Sequence, residues 1–268
     1  MIFAGVDIGS TTTKCVLIDE NKKQLAFHII FTTFDRNESG NQVLRLALED
    51  CGKSEEDLGF VVATGYGRKA FARAQKDIPE IICHGTGTVA VHPGVRTIID
   101  IGGQDSKVIE LDEQGNITRF EMNDKCAAGT GRFFEVLSNR LLAVKMEELS
   151  PMILASKNPS VISSMCTIFA ESEIISLLSQ GVSKEDIVAG MSRSIARRVI
   201  NMGKAGQIRY VEPIVFTGGV ANNLGVTKEF EELLGKKVTA LQMPQSTAAL
   251  GAALAAKQEY EKRVKANV

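Results

Sequence analysis

The sequence has no tryptophan, only six prolines and only five cysteines among its 268 residues. An odd and thinly spread set of cysteines is no disulfide framework of the kind that stabilises small secreted domains. No uninterrupted apolar run approaches the roughly 18 residues of a membrane span, and Asp7 precedes any apolar core of a signal peptide. We therefore expect a cytoplasmic protein with reduced thiols and no membrane partner.

An excess of charge of one sign is also lacking, since 31 Lys and Arg residues face 32 Asp and Glu residues. This balance excludes a nucleic-acid binder that works by bulk positive charge. Hydrophobic residues make up 44% of the chain, which excludes disorder, and the 24 glycines allow tight turns and close approach of backbone to a ligand. The length predicts one large or two small domains, and the composition suits an α/β nucleotide binder.

A short segment occurs twice in the chain. Residues 7–14 read DIGSTTTK and residues 100–107 read DIGGQDSK, and each copy lies between two apolar runs. The pattern predicts a strand, a glycine turn and a second strand in each copy. Backbone N–H groups, hydroxyls and a lysine at such a turn can bind phosphate. The aspartates would hold Mg²⁺ through water, because a carboxylate beside phosphate needs a cation between them, and two facing hairpins could clamp one polyphosphate.

A single copy of this motif is also typical of an ordinary hairpin turn, and the duplication is what favours phosphate binding. Neither copy matches the GxxxxGK[ST] of a P-loop or the GxGxxG of a dinucleotide-binding turn, which disfavours a P-loop enzyme and a dehydrogenase. Residues 211–223, VEPIVFTGGVANN, predict a strand, a double glycine that can lie against adenine or a sugar phosphate, and a helix beginning near Ala221. Residues 243–257 predict a small-residue helix that packs closely on backbone. Ordinary close packing is the alternative for both.

In this order, the three glycine motifs resemble the phosphate-1, phosphate-2 and adenosine motifs of the actin, sugar kinase and heat-shock ATPase superfamily. The resemblance implies an α/β fold of two ribonuclease-H-like lobes around a nucleotide cleft that holds Mg-ATP. We place the N-terminal lobe at residues 1–97 and the C-terminal lobe at residues 98–268. An alternative is that the last helix packs on the first lobe.

The same motifs assign roles to particular residues. Asp7 and Asp100 are expected to act in catalysis by holding Mg²⁺ through water, and Gln104 or Asp105 by orienting the attacking water. The residues expected to contact ATP or ADP are Gly9, Ser10, Thr11, Thr12, Lys14, Gly102, Gly103, Lys107, Gly218, Gly219, Ala221 and Asn222.

Two cysteines each precede a helical pattern: Cys126 in MNDKCAAGTGRFF and Cys166 in SSMCTIFAESE. A helix N-terminus stabilises either a reactive thiolate or an anionic iron–sulfur cluster. Spacing alone favours a third interpretation, an ordinary buried thiol, because no CxxC marks a metal site. A cubane cluster takes four thiolates, so a cluster on these two cysteines would have to be shared with a second chain.

The segments NDKCAAGTGRF and CTIFAESE, together with ATGYGR at Ala63 to Arg68, resemble signatures of the 2-hydroxyacyl-CoA dehydratase activator family, also called activases or archerases. This family includes the ATPase subunits of benzoyl-CoA reductase, and the likeness runs from about residue 2 to residue 256. The resemblance implies a homodimer that carries one [4Fe-4S] cluster, with Cys126 and Cys166 as the ligands from each subunit. Met165 departs from the small polar residue that many relatives have there.

The resemblance also implies the activity. A ferredoxin or flavodoxin would donate the electron, and ATP hydrolysis would drive its transfer at low potential to a separate iron–sulfur enzyme. This acceptor would be a 2-hydroxyacyl-CoA dehydratase, an aryl-CoA reductase or a double-cubane cluster protein, and the sequence does not tell which. The alternatives are a small-molecule kinase of the amino-sugar type and an actin-like assembly module.

The remaining candidates have simpler interpretations. Cys15, Cys51 and Cys83 are interpreted as ordinary reduced thiols. A basic run, Arg193, Arg197 and Arg198, lies on a helix that the pattern Ser183-Lys-Glu-Asp186 predicts through its capping box. This run is predicted to be a solvated helix face, with docking to a partner as the lesser alternative.

Overall fold

The computed structural model describes residues 1–163 and 166–266. The chain forms two compact units, one of residues 1–94 together with the segment from Gln245 onward, the other of residues 95–244. The division thus follows Gly94, close to the boundary expected after residue 97, and the last helix packs with the first unit. Each unit contains one five-stranded sheet with helices, which is a mixed α/β architecture.

The strands and helices are bounded as follows. The strands are β1 (Ile2–Ile8), β2 (Thr12–Asp19), β3 (Gln24–Phe31), β4 (Leu58–Thr64), β5 (Lys76–Asp77), β6 (Thr97–Ile101), β7 (Ser106–Leu111), β8 (Ile117–Asn123), β9 (Ile214–Thr217) and β10 (Val238–Ala240). The α-helices are α1 (Arg36–Asp50), α2 (Glu80–Val91), α3 (Gly131–Leu137), α4 (Met146–Ala155), α5 (Thr167–Ser179), α6 (Lys184–Ala205), α7 (Leu224–Leu234) and α8 (Thr247–Ala266).

The two sheets have the same topology. The strand order is β3-β2-β1-β4-β5 in the first unit and, read in the same direction, β8-β7-β6-β9-β10 in the second. In each sheet the first three strands along the chain are antiparallel neighbours, and the fourth pairs in parallel with the first. The central strands β1 and β6 are buried along their whole length, as their continuous apolar sequences require. The duplicated sequence segment therefore marks a duplicated unit.

Backbone-to-backbone packing holds α8 in the first unit. Helix α8 contacts α2 and strands β1, β2 and β4. Its Gly251 lies against the carbonyl oxygen of Cys83 so closely that a Cβ there would overlap it, and Gly87 has the same relation to Thr247. Gly5 of β1 meets the carbonyl oxygen of Ala249 in this way. A small-residue helix was predicted at residues 243–257, and α8 instead runs from Thr247 to Ala266. Its glycines and alanines serve this close approach.

Helix α6 is the longest element of the second unit, and its start was correctly predicted. The Ser183 hydroxyl accepts a hydrogen bond from the backbone N–H of Asp186 at 3.2 Å, which caps the first turn. The buried face of α6 packs against α4, α7 and strands β7 and β8. No helix within residues 1–163 and 166–266 is both long and apolar enough to cross a lipid bilayer.

The helix predicted to begin near Ala221 begins later. Residues 219–222 form a short 3₁₀ turn, and α7 begins at Leu224. Asn223 sets this start, because its side-chain oxygen accepts hydrogen bonds from the N–H groups of Gly225 at 3.0 Å and Val226 at 3.3 Å. A capping asparagine therefore overrides the earlier start that the alanine suggested.

The packing of α8 gives a direct test. We expect Gly251→Ala to lower the free energy of unfolding by about 3 kcal/mol, because the new methyl group must push apart two backbones that cannot relax separately. Gln258→Ala, at an exposed position of the same helix, should change it by less than about 0.5 kcal/mol. Urea denaturation followed by circular dichroism measures both, and equal stability of the two variants would contradict the close packing.

Candidate functional site

The first loop, residues 9–11, joins β1 to β2 in the first unit. Asp7 and Lys14 are directly opposite each other on these strands, and the Lys14 ammonium donates to Asp7 Oδ2 at 3.0 Å. The N–H of Gly9 donates to the carbonyl of Thr12 at 3.1 Å and closes the turn. The predicted hairpin is confirmed, and it holds one carboxylate and one ammonium at the end of the strand pair.

The second loop, residues 102–105, joins β6 to β7 in the second unit and is more tightly paired. Asp100 lies opposite Lys107, whose ammonium is 3.2 Å from Asp100 Oδ2 and 2.6 Å from Asp105 Oδ2. Lys107 is only 1% exposed. The N–H of Gly102 donates to the carbonyl of Asp105 at 3.0 Å. Of the two residues expected to orient water, Asp105 is bound to Lys107, whereas Gln104 is exposed.

The third glycine motif packs on Asp100 within the second unit. The Thr217 hydroxyl donates to Asp100 Oδ1 at 3.0 Å. Gly218 follows with φ +83°, and a Cβ at this position would lie 2.8 Å from the same oxygen, so only glycine fits. Ala221 is buried, while the Asn222 amide is exposed and donates to the carbonyl of Gly219 at 3.2 Å. The structure therefore brings the second and third motifs together around one carboxylate.

A counterpart of the third motif lies in the first unit and was missed as a site feature. Thr64 ends β4 opposite Asp7, just as Thr217 ends β9 opposite Asp100. Gly65 has φ +83°, and a Cβ there would lie 2.5 Å from Asp7 Oδ1. The repeat thus extends to a third strand. The signal for it was present in the sequence, since a Thr-Gly pair follows an apolar strand in both units.

Cys126 lies in a loop of residues 124–130 (the cysteine loop) that connects β8 to α3. Asn123 holds this loop, because its amide donates to the carbonyl oxygens of Cys126 at 2.8 Å and Ala128 at 3.1 Å. The expected placement of Cys126 close to a helix N-terminus is only approximate, since α3 begins at Gly131 and its N-cap is Thr130.

The first N–H groups of α3 donate to the second loop. Gly131 N–H donates to the carbonyl of Gly102 at 2.9 Å, and Arg132 N–H to the carbonyl of Gly103 at 2.8 Å. Two donors of the helix N-terminus are thus used by the second loop and not by a thiol. The second loop and the helix that follows Cys126 are consequently joined by two backbone hydrogen bonds.

The positive group beside Cys126 is Arg198 of α6, whose Nη2 lies 3.6 Å from the sulfur. The interpretation of the basic run as a solvated face is wrong for two of its three members. Arg193 pairs with Glu229 at 2.8 Å and Glu232 at 2.6 Å, and only Arg197 is exposed. Burial raises the pKa of the Glu229 carboxyl, and Arg193 offsets part of this rise.

Cys166 is the N-cap residue of α5, as the sequence predicted. Its carbonyl accepts a hydrogen bond from the N–H of Ala170 at 2.9 Å. Glu173 of the FAESE segment reaches back to Ser163, from whose N–H and hydroxyl it accepts hydrogen bonds at 3.0 Å. Met165, the departure noted from the family pattern, lies outside the described residues.

The other cysteines have the surroundings of ordinary thiols. Burial raises the pKa of Cys83 to about 12, although a hydrogen bond with Thr64 lowers it in part. Burial also raises the pKa of Cys15 far above its usual range. Both thiols therefore stay protonated at neutral pH. Cys51 is half-buried, and its thiol donates to the carbonyl of Leu48 at 3.5 Å.

Comparison with known proteins identifies the family. The model of the BadF/BadG/BcrA/BcrD ATPase family matches residues 4–256. The chain belongs to this family. The (R)-2-hydroxyglutaryl-CoA dehydratase activating ATPase of Acidaminococcus fermentans is 44% identical over 97% of this chain and 98% of its own length. The activator of lactoyl-CoA dehydratase of Anaerotignum propionicum is 43% identical over 98% of this chain and 100% of its own. The resemblance drawn from the sequence is confirmed.

Solved structures agree with the family and the fold. The activator of 2-hydroxyisocaproyl-CoA dehydratase from Clostridium difficile, with bound ADPNP, has a TM-score of 0.92 and 42% identity, and the match covers 99% of this chain and 97% of that one. A ROK family glucokinase from Streptomyces griseus has a TM-score of 0.57 at 15% identity over 96% of this chain and 100% of its own, and so shares the fold alone. The actin and sugar kinase fold is confirmed, and membership of this ATPase family assigns ATP binding to the chain.

Loss of the lysine should lower the free energy of unfolding more in the second loop than in the first. Lys107→Met leaves two buried carboxylates beside a neutral side chain, so the free energy of unfolding should fall by about 3–5 kcal/mol. Lys14→Met removes the ammonium that contacts Asp7, and with 15% of the Lys14 side chain exposed the loss should be about 2 kcal/mol or less. Guanidinium denaturation measures both. Lys228→Met, in an exposed pair with Glu232, is the control, and equal losses at the two loops would contradict this ranking.

Proposed function

We propose that the protein is an ATP-dependent activator that passes a low-potential electron from a [4Fe-4S] cluster to a separate iron–sulfur enzyme, with hydrolysis of ATP. The observation that carries this proposal is a direct connection within the second unit between the second loop and the segment that contains Cys126. The carbonyls of Gly102 and Gly103 accept hydrogen bonds from the start of α3, the helix that follows the half-buried thiol of Cys126. Activators that match the chain over nearly their whole length support it.

Nucleotide contacts are proposed for each unit separately. In the first unit the N–H and hydroxyl groups of the first loop and the Lys14 ammonium would bind phosphate oxygens. In the second unit the second loop would do the same, and the third motif would border the nucleoside. The residues proposed to bind ATP or ADP are Gly9, Ser10, Thr11, Thr12, Lys14, Gly102, Gly103, Lys107, Gly218, Gly219, Ala221 and Asn222.

Asp7 in the first unit and Asp100 in the second each have a carboxylate that suits hydrated Mg²⁺. Both carboxylates are almost fully buried at strand ends, and each has a lysine ammonium at hydrogen-bond distance. Carboxylate oxygens are the ligands that Mg²⁺ prefers, and it usually keeps several waters. We propose that Asp7 in the first unit and Asp100 in the second are each able to position Mg²⁺ through water, and that Gln104 or Asp105 orients the attacking water. The exposed amide of Gln104 makes it the better placed of the two.

Cys126 and Cys166 fit a cluster that two chains share. Both thiols are half-buried, and neither is in a disulfide. Each chain therefore offers two thiolates, and a four-iron cluster takes four. When bound, the cluster supplies one-electron redox chemistry. In this proposal the protein keeps the ligands at the N-terminus of α5 and in the cysteine loop, where Asn123 and Arg198 hold Cys126 in place.

The surface beside Cys166 fits a second copy of this chain. Ile168 and Phe169 are 71% and 68% exposed on the first turn of α5, and Ile175 is 49% exposed on the same helix. Exposed apolar residues grouped at one place are typical of protein interfaces. A homodimer through this face would cover them and bring together the thiolates of two chains.

The energy that ATP must provide is moderate. About 59 mV corresponds to about 1.4 kcal/mol for one electron, so lowering a reduction potential by about 200 mV needs about 5 kcal/mol. Binding ATP more tightly to one conformation than to another can supply this amount. The bonds from Gly131 and Arg132 to the second loop give such a change a route to the cysteine loop.

The redox partners are proposed by the chemistry of this step. The electron would come from a ferredoxin or flavodoxin. The acceptor would be a 2-hydroxyacyl-CoA dehydratase, as the names of the relatives suggest, or alternatively an aryl-CoA reductase or a double-cubane cluster protein. A cluster of this kind is oxygen-sensitive, which suits a reducing, anaerobic cytoplasm.

Replacing the two cysteines tests the cluster assignment. Anaerobically purified protein should be brown and contain about two irons per chain. Cys126→Ser and Cys166→Ser should each lose the iron while ADP binding, measured by calorimetry, stays within about twofold. Cys51→Ser, which changes another half-buried free thiol, should keep both properties. A colourless wild-type protein, or full iron content in either variant, would overturn the assignment.

Replacing Phe169 tests the dimer. Phe169→Glu buries a charge in the proposed interface, so the protein should sediment as a monomer and lose its iron. Phe34→Glu is the matched control, because Phe34 is fully exposed in the first unit, and it should leave the dimer and the iron unchanged. A dimer that persists in Phe169→Glu would show that the interface lies elsewhere.

A further inference from the structure

We propose that Arg198 is a positioning residue whose positive charge, brought to the sulfur of Cys126 by a hydrogen bond, raises the reduction potential of the cluster. The inference rests on the proposed function, because it takes Cys126 as a cluster ligand. It concerns a residue that the family motifs do not include and that sequence analysis assigned to a solvated surface.

The contact is built from a rigid element. Arg198 lies in α6, between Ile195 and Val199, which are both buried in the core of the second unit. Its Nη2 is 3.6 Å from Cys126 Sγ, within the range of a hydrogen bond to sulfur. A guanidinium group keeps its charge at every accessible pH. The sulfur therefore faces a permanent positive charge from a helix anchored in the core.

The cysteine loop is shaped to admit this side chain. Gly129 has φ +90°, and a Cβ there would lie 3.0 Å from Cδ and 3.5 Å from Nε of Arg198. The glycine thus lets the loop pass over the stem of the arginine. The amide of Asn123 holds the carbonyls of Cys126 and Ala128 on the same loop. Loop and helix fix the distance from guanidinium to sulfur together.

A cavity beside Arg198 means that this side chain can be shortened without disrupting the fold. Its volume is about 610 Å³, and its polar and apolar walls come from β7, β8, α6 and residues 161–163. Shortening Arg198 would enlarge this existing cavity and would not open a new void in the core, so variants should keep the fold.

The direction of the effect follows from charge. Reduction adds an electron to a cluster that already carries negative charge on its thiolate ligands. A nearby positive charge and a hydrogen bond to a ligand sulfur both favour the reduced state, and hydrogen bonds to sulfur are among the factors that set cluster potentials. Arg198 therefore makes the cluster easier to reduce, and its removal should make the potential more negative.

The test is a redox titration of the anaerobically purified dimer, followed by the electron paramagnetic resonance signal of the reduced cluster. We expect Arg198→Gln to keep its iron but to shift the midpoint potential to a more negative value. Arg198→Lys, which keeps the charge, should lie between Arg198→Gln and the wild type. Arg197→Gln removes the neighbouring exposed arginine of the same cavity and should titrate as the wild type does.

Each result decides the question. An unchanged potential in Arg198→Gln, or equal shifts in Arg198→Gln and Arg198→Lys, would overturn the proposal, because the charge would then have no effect. Loss of iron in both Arg198 variants would also overturn it, since the arginine would then be needed for cluster assembly. Absence of iron from the wild type would instead refute the proposed function itself, so the two failures are distinguishable.

Discussion

Two backbone hydrogen bonds, from Gly131 and Arg132 of α3 to the carbonyls of Gly102 and Gly103, connect the two halves of the candidate chemistry in the second unit. The glycines make this contact possible, because a Cβ at Gly131 would lie only 3.0 Å from the carbonyl oxygen of Gly102. Any displacement of the second loop must therefore move the start of α3 or break both bonds. Since the cysteine loop ends where α3 begins, a nucleotide-driven movement has a short covalent and hydrogen-bonded path to Cys126.

Much of the fold could be predicted from the sequence, because the repeat of Asp, Gly and Lys marks the residues that pair across each hairpin. In an antiparallel hairpin the first and last residues of this motif are cross-strand neighbours, and their opposite charges pair. The small-residue helix was equally readable, since alanine and glycine have few other reasons to occur together. Capping residues are local signals too: Asn223 accepts hydrogen bonds from the N–H groups of Gly225 and Val226, and this cap places the start of α7 after the predicted one.

The rest depended on contacts between residues far apart in the chain. Arg198 and Cys126 are separated by 72 positions, and no local pattern tells the half-buried Arg198 on α6 from its exposed neighbour Arg197. The pairing of Thr64 with Asp7 likewise needs the register of a parallel pair of strands. Such contacts follow from packing, which a single sequence does not show, whereas hairpins and helix ends follow from neighbours in sequence.

The duplicated loops also show how one motif can take on two roles. The position of Asp105 in the second loop corresponds to Thr12 in the first, so Lys107 has two carboxylate partners in the contacts described above while Lys14 has one. A lysine held by two buried carboxylates offers a phosphate less positive charge than a more exposed lysine does, and its desolvation makes any movement costly. The Lys14 side chain is more exposed, at 15% against 2% for Lys107, so a phosphate can reach it more easily. Lys14 is therefore better suited to exchange its carboxylate contact for a phosphate, whereas Lys107 holds Asp100 and Asp105 together and leaves the proposed phosphate contacts of the second loop mainly to its backbone.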